Sequence, residues 1–411
     1  MRFWTILGIE VRFPLLSTDR FSIQSPLLQN DLERGAANSN ESIMSEDAAS
    51  TLSPAPAPFQ ILTSRGMTEW MAHQRLSFAV TTYHVGAVIF LGLKPNGDLS
   101  IFVSSFDRAM GIAVHESALW LVTKHTIWKM ENALAGPLQD GYDRVFLPRV
   151  GYVTGDVDVH DIAIENSGRA VFVNTKFNCL ATVDDRFSFT PLWKPPFISQ
   201  LLPEDRCHLN GLALENGVAK YATLVSKSDV ADGWRDSRDR GGMVFDITNH
   251  NVVADGLSMP HSPRVHNGKL WLLNAGTGHL GYVDAKSGKF EPVTFLPGYA
   301  RGLTFYGDYA IIGLSKQRRE HAFQGLALDK NLTDKGATAR CGIQIVDLHS
   351  GAIVHWARIE SSVEELYDVA VLPGVARPKA LGFSSPVIGD QITCQSGQRI
   401  EFWSASTAPR H

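Results

Sequence analysis

A short pattern that recurs six times limits what this chain can fold into more than any other feature. A small residue or Asp is followed by an aliphatic, then Ala or Thr, then an aliphatic. It reads Gly111-Ile112-Ala113-Val114, Asp161-Ile162-Ala163-Ile164, Gly211-Leu212-Ala213-Leu214, Gly302-Leu303-Thr304-Phe305 and Asp368-Val369-Ala370-Val371, with Pro263-Arg264-Val265 filling the fourth place more loosely. The steps from residue 111 are 50, 50, 52, 39 and 66 residues. Self-similarity at that period marks a repeat architecture, in which each unit buries its apolar faces against its neighbours.

Three further segments follow each opening. The first is a turn and a strand: Leu119–Thr123, Ala170–Thr175, Ala219–Val225, Leu270–Asn274 and Tyr309–Leu314. Asn216-Gly217 and Asn267-Gly268 predict two-residue hairpins of type I′, whose central residues both need positive φ. Next comes a strand ending in Asp before a turn, as in Phe245-Asp246, Val283-Asp284 and Val346-Asp347. Phe290–Phe295 and Ile353–Arg358 exemplify the fourth strand. Six units of four antiparallel strands predict an all-β fold, a six-bladed β-propeller, because one such sheet cannot cover both its faces and six packed radially can.

Ring closure joins the two ends of the chain. Phe78–Tyr83, Ala87–Leu93 and Leu99–Ser104 read as three outer strands, and Leu366–Leu372 as the matching inner strand. Ala380–Phe383 competes for the second place in that composite blade. The propeller is expected over 58–385, with a short helix around Met67–Arg75. Residues 1–57, rich in Ser, Asn, Glu and Ala and ending in Pro54-Ala55-Pro56-Ala57-Pro58, read as a disordered extension, with Met44 a second candidate start. Residues 386–411 read as a tail.

Composition narrows the function classes. The net charge is −4 over 411 residues, so nothing argues for nucleic acid. The apolar start, Phe3–Ile9, is interrupted by Glu10 and Arg12, and no stretch reaches membrane-spanning length. Cys179, Cys207, Cys341 and Cys394 are scattered without a C-x-x-C pair, which fits free thiols in a reducing compartment. A cytoplasmic protein with no membrane partner is the expectation.

Strand polarity locates the candidate site. With strands labelled A to D from the axis outward, the D-to-A and B-to-C connections emerge on one face. Residues before or opening strand A therefore stand at the mouth of the central channel: Arg108 with Met110, His160 with Asp161, His208 with Asn210, then His261, Arg301, and Tyr367 with Asp368. Further out, the ends of the B strands carry Lys124, Lys176, Lys227 and Lys316. Two long B-to-C insertions, about 228–240 and 317–340, and the connection 148–159 share this face. Long connections on one face of a scaffold carry function.

Several chemistries suit this set. Two imidazoles and an amide oxygen, from His160, His261 and Asn210, could hold a divalent metal with Asp161 or Asp368 nearby, or simply satisfy backbone groups. Asp161 and Asp368 stand where other units have glycine, either as acceptors for backbone N–H groups or as general bases. Arg108, Arg301 and the lysine rim suit an anionic small molecule or peptide, or are solvated charges. Arg301 is the strongest of these, because it opens an inner strand. There is no G-x-S-x-G and no H-E-x-x-H, so no nucleophile constellation is legible.

The motifs His160-Asp161-Ile162-Ala163, Cys207-His208-Leu209-Asn210-Gly211-Leu212-Ala213, Ser258-Met259-Pro260-His261-Ser262-Pro263-Arg264, Arg301-Gly302-Leu303 and Leu366-Tyr367-Asp368-Val369 resemble an uncharacterised, mainly bacterial propeller family over about residues 65–385. That resemblance implies the fold and no activity. Asn210-Gly211-Leu212-Ala213 is also distantly similar to the gluconolactonase, senescence-marker and strictosidine-synthase propellers, where it implies a metal-binding Asn. Those enzymes also use Glu and Asp ligands; this chain has His160, His261 and Arg301 at the comparable positions. Three readings follow: a binding propeller for an anionic ligand, a metal-dependent hydrolase or lactonase, and a scaffold for a protein partner.

Overall fold

Apolar side chains fill both faces of the central strands, so each sheet must be covered on both sides. In the computed structural model this happens radially. The structure describes residues 2–6, 9–13, 59–134, 140–316, 325–360, 363–396 and 399–403. The chain divides into Met1–Phe59 and Gln60–His411. In the first unit, Arg2–Ile6 pairs antiparallel with Ile9–Phe13; the rest of the extension expected over 1–57 lies outside the described residues.

The second unit is a six-bladed β-propeller. Blade 1 runs Ile112–His115, Ala118–Val122, Thr126–Asn132 and Arg144–Val153. Blade 2 is Val159–Ile164, Ala170–Asn174, Cys179–Thr182 and Thr190–Trp193. Blade 3 is Leu209–Glu215, Val218–Leu224, Gly242–Asp246 and Asn251–Leu257. Blade 4 is Pro260–His266, Lys269–Asn274, His279–Val283 and Phe290–Phe295. Blade 5 is Tyr299–Tyr306, Tyr309–Ser315, Gly342–Asp347 and Ile353–Glu360. Blade 6 closes the ring: Val369–Pro373 from the C-terminal side pairs with Leu76–Thr82, followed by Ala87–Leu93 and Leu99–Ser105.

Two edges differ from the sequence expectation. The segment expected at Ala380–Phe383 is not in blade 6. Pro378–Ala380 instead adds a fifth, parallel strand to blade 1, opposite Arg144–Phe146. Gln60–Thr63 likewise adds a fifth strand to blade 5. Edge pairings of three or four residues carry too little periodicity to be read in advance. The helix α1 spans Met67–Gln74 as expected, and both Asn-Gly hairpins have positive φ at both residues: 53° and 76° at Asn216-Gly217, 49° and 72° at Asn267-Gly268.

The core consists of apolar layers between successive blades. Phe172 joins the layer between blades 1 and 2, while its neighbours Val171 and Val173 join the layer between blades 2 and 3. That is the two-residue period of a strand.

At the axis the blades are also joined by side chains. The Asp161 carboxylate of blade 2 accepts the Leu212 N–H of blade 3, Ser262 Oγ of blade 4 accepts the Gly302 N–H of blade 5, and Asp368 of blade 6 accepts the Ile112 N–H of blade 1. The intervening blades open with glycine. A Cβ on Gly302 would stand 2.7 Å from both the Asp368 Cα and the Val369 N, and its φ is +74°. On Gly211 it would meet Pro263 Cδ at 2.4 Å. Side-chain acceptor and glycine thus alternate around the ring.

Gly302→Ala should lower the unfolding free energy by about 2–5 kcal/mol in urea titrations, from left-handed strain of about 1–2 kcal/mol and overpacking of about 1–3 kcal/mol. Gly168→Ala has a similar φ of +82° and no atom within 4 Å of the new Cβ. It should cost only about 1–2 kcal/mol. Equal losses would show that close approach to blade 6 is not what requires the glycine.

Candidate functional site

Four consecutive A strands are irregular at the same place. The A–B register shifts between Val159 and Ile162 in blade 2, Leu209 and Gly211 in blade 3, His261 and Arg264 in blade 4, and Arg301 and Leu303 in blade 5. Bulges of this kind interrupt pairing and re-aim side chains. Here they turn one cluster toward the channel mouth: His160, Asp161, Asn210, His261, Ser262, Arg301, Tyr367 and Asp368 line one cavity. Its volume is about 10 Å³, room for about one water-sized sphere. Of the fourteen described non-glycine residues with positive φ, Arg108, Asp158, Asp205, His208, Met259 and Ser262 stand in or beside the D-to-A connections at this mouth. Such backbone is tolerated where its surroundings over-determine it.

The histidines are held in defined tautomers. His261 Nδ1 donates to the Met259 carbonyl at 2.8 Å. His160 Nδ1 is 3.1 Å from the Asp158 carbonyl and 2.8 Å from Thr175 Oγ1, whose own hydrogen goes to the Leu209 carbonyl. His208 Nδ1 donates to the Asp205 carboxylate at 2.8 Å. Burial, then the charge on neighbouring groups including Arg301, holds His160 and His261 well below the usual imidazole range. Both are therefore neutral at pH 7, with an unprotonated Nε2. The His261 Nε2 is buried and has no hydrogen-bond partner.

Arg301 is the other unusual group. It is 8% exposed, and its guanidinium lies 4.8 Å from the centroid of the Tyr367 ring. Among the described residues it has no carboxylate partner. Tyr367 stacks on Tyr83 at 5.5 Å, and Arg108 covers Tyr83 from the other end at 4.8 Å. Asn210 Oδ1 accepts the Thr223 hydroxyl at 2.8 Å, while its Nδ2 is buried without a partner. The amide oxygen considered as a metal ligand is thus engaged already. Among the described residues no group of three His, Cys, Asp or Glu side chains is arranged to hold a metal ion.

Deeper in the channel, Arg264 forks onto Asp161 at 2.8 and 3.0 Å and also donates to the Leu212 carbonyl. Burial, then the charge of Asp161, raises Asp368 to about 7. The Asp161 and Asp368 carboxylates also accept N–H groups of Ile162 and Val369, 2.9 Å away in each case. That geometry is the backbone-acceptor role.

Two insertions cover this end. The loop of blade 3 contributes Trp234, and that of blade 5 contributes the helix α2, Ala327–Asp334. Trp234, Leu326, Leu328 and Leu332 share one apolar cluster with Met259 and Tyr299. Trp234 also stacks on His208 at 4.2 Å and donates to Asp205. Residues 317–324 of the second insertion lie outside the described residues.

The expected cations divide. Arg301 lines the cavity; Arg108 does not, being paired with Asp156 and Asp158. Lys176 donates to the Asp156 carbonyl, Lys316 lies 3.9 Å from Glu364, and Lys227 is exposed. With Lys124 these lysines stand outside the cavity. Sequence reasoning missed Ser262 and Arg264 as members. An arginine at the place where the other units of the repeat carry an aliphatic residue was the signal for Arg264; for Ser262, whose place depends on the bulge, there was none.

A family model described as Domain of unknown function (DUF4915) matches residues 65–381. No curated protein matches the chain. Among solved structures, a nidogen/laminin complex is similar with a TM-score of 0.46 and 12% identity, over 73% of this chain and 98% of that one. A protein of unknown function from Bacteroides caccae has a TM-score of 0.44 and 9% identity, over 72% and 98%. A virginiamycin B lyase from Staphylococcus aureus has a TM-score of 0.36 and 13% identity, over 57% and 76%. At such values none of the three bears on what this chain does.

Asp368 gives a pH signature. Its folded value, about 7, exceeds the ordinary 3.8. The folded chain therefore holds a proton that the unfolded chain releases, and this contribution is complete below about pH 4 and lost as pH rises through about 7. Asp368→Asn, measured by thermal melts from pH 4 to 8, should gain stability relative to the parent as pH rises, whatever constant offset the amide introduces. Parallel melting curves would show that Asp368 ionises normally.

Proposed function

This chain belongs to the DUF4915 family, a domain of unknown function, and we propose that its channel mouth binds a small anionic ligand through Arg301. One observation carries the reading: a buried guanidinium with no anion, beside a buried donor and a buried acceptor that also lack partners. An unpaired buried charge is expensive to maintain, as are unmet hydrogen bonds. A ligand offering a negative oxygen to Arg301 and Asn210 Nδ2, and an O–H or N–H to His261 Nε2, would satisfy all three. The small cavity suits one oxygen of an acidic head group, with the remainder of the ligand directed outward. A hydroxy acid, an amino acid or a peptide carboxylate meets that description. We further propose a cytoplasmic setting, in keeping with the free thiols Cys179, Cys207 and Cys341. No described helix is long and apolar enough to cross a membrane.

Arg301→Met tests this on both sides. Without ligand the variant should melt higher than the parent, because a buried uncompensated charge has been removed. The stabilisation that millimolar glycolate, acetate or inorganic phosphate gives the parent should be lost, corresponding to at least about tenfold weaker binding for a charge-assisted hydrogen bond. Glycolate should exceed acetate in the parent, and His261→Phe should abolish that difference. The reading fails if none of the three anions stabilises the parent, or if Arg301→Met responds as the parent does.

A further inference from the structure

A second cavity, of about 190 Å³, lies on the outer part of blade 5 and shares no residue with the channel mouth. Strand pairing sets its walls. Gly342 stands opposite Leu314 and Arg358, and Gln344 opposite Ile312 and Trp356. These residues share the sheet face on which Ile312 and Leu314 join the apolar layer with blade 4. Inward of this cavity the layer is filled; at Gly342 the strands approach so closely that a Cβ would stand 2.1 Å from the Ala357 carbonyl oxygen.

The polar groups here point to a ligand. Gln344 is 9% exposed, and its Oε1 is buried with no hydrogen-bond partner. The Arg358 guanidinium is 4.6 Å from the Trp356 ring centroid, with Glu360 as a 3.6 Å ion-pair neighbour. Exposed Arg340 stands at the lip, where the long insertion of blade 5 returns to the sheet. Gln344 and Arg358 stand on neighbouring strands, two residues apart in register, a rise of about 7 Å along the strands.

We propose that this cavity binds a flat aromatic monocarboxylate carrying a hydroxyl or N–H at the end opposite its carboxylate. Arg358, aided by Arg340, receives the carboxylate. Gln344 Oε1 accepts the distal hydrogen, and the Trp356 ring with Leu314 and Pro297 forms the apolar walls. A benzene ring substituted at opposite positions holds its two polar ends apart, one for each of these residues. This inference is independent of the ligand proposed for the channel mouth.

Titration calorimetry with 4-hydroxybenzoate, benzoate and 4-hydroxybenzyl alcohol tests it. The first should bind at least about tenfold more tightly than either of the others, which lack one polar end. Gln344→Leu should equalise 4-hydroxybenzoate and benzoate, and Arg358→Gln should equalise 4-hydroxybenzoate and the alcohol. In Arg301→Met, which removes the guanidinium of the mouth, the same order among the three should persist. If either variant at blade 5 melts far below the parent, Gln344→Met or Arg358→Met takes its place. The proposal is overturned if 4-hydroxybenzoate shows no saturable binding at millimolar concentration or if its hydroxyl preference survives at Gln344→Leu. Loss of binding in Arg301→Met would also overturn it, placing the ligand at the mouth.

Discussion

Six inner strands converge on one axis, and the whole arrangement depends on how they are allowed to approach. The solution alternates. In blades 2, 4 and 6 a short side chain, Asp161, Ser262 or Asp368, accepts an N–H from the next blade. Blades 1, 3 and 5 have Gly111, Gly211 and Gly302 at the corresponding position, where a Cβ would crowd the following blade. Hydroxyls reinforce the joint from the second strands: Thr175 donates to the Leu209 carbonyl and Ser315 to that of Leu366. Each interface is therefore oriented at its inner end before the apolar layers further out contribute.

The same constraint builds the site. A side chain that reaches the neighbouring blade must leave its own ladder, and the bulges at His160–Asp161, Asn210, His261–Pro263 and Gly302 allow this. A bulge frees adjacent residues as well as the acceptor itself. That is why His160 and His261 sit beside Asp161 and Ser262 and still face the mouth. Joining the blades and presenting a polar cluster are two consequences of one backbone irregularity, so the cluster could change without loss of the ring only if the acceptors stayed.

Much of this could be read in advance. The period fixed the blade count, and strand polarity put His160, Asn210, His261, Arg301 and Tyr367 at one end, where they line one cavity. The parallel edge strand Pro378–Ala380 was out of reach because three residues show no period. The lysine rim lies outside that cavity for another reason: position along a strand gives the face of the propeller, not the distance from its axis. Lys176 and Lys316 therefore share the end with Arg301 but turn to Asp156 and Glu364. Partner choice decided Arg108 in the same way. Nothing in its local sequence distinguishes it from Arg301, yet Asp156 and Asp158 neutralise the one while the other has only an aromatic face.

That contrast bears on the charge of the mouth. Arg264 and Asp161 cancel in a bidentate pair. His160 and His261 are neutral because burial and Arg301 disfavour their protonated forms. Burial and the Asp161 charge keep much of Asp368 protonated near neutrality, and the arginine that acts against them is Arg264. The balance that remains is one uncompensated positive charge among low-dielectric walls, where an anion is attracted far more strongly than in water. The perturbed ionisation of Asp368 thus belongs with the Asp161–Arg264 pair beside it. Asp161, engaged at once with Arg264 and with the Leu212 N–H of the next blade, couples it to the joint that holds the ring.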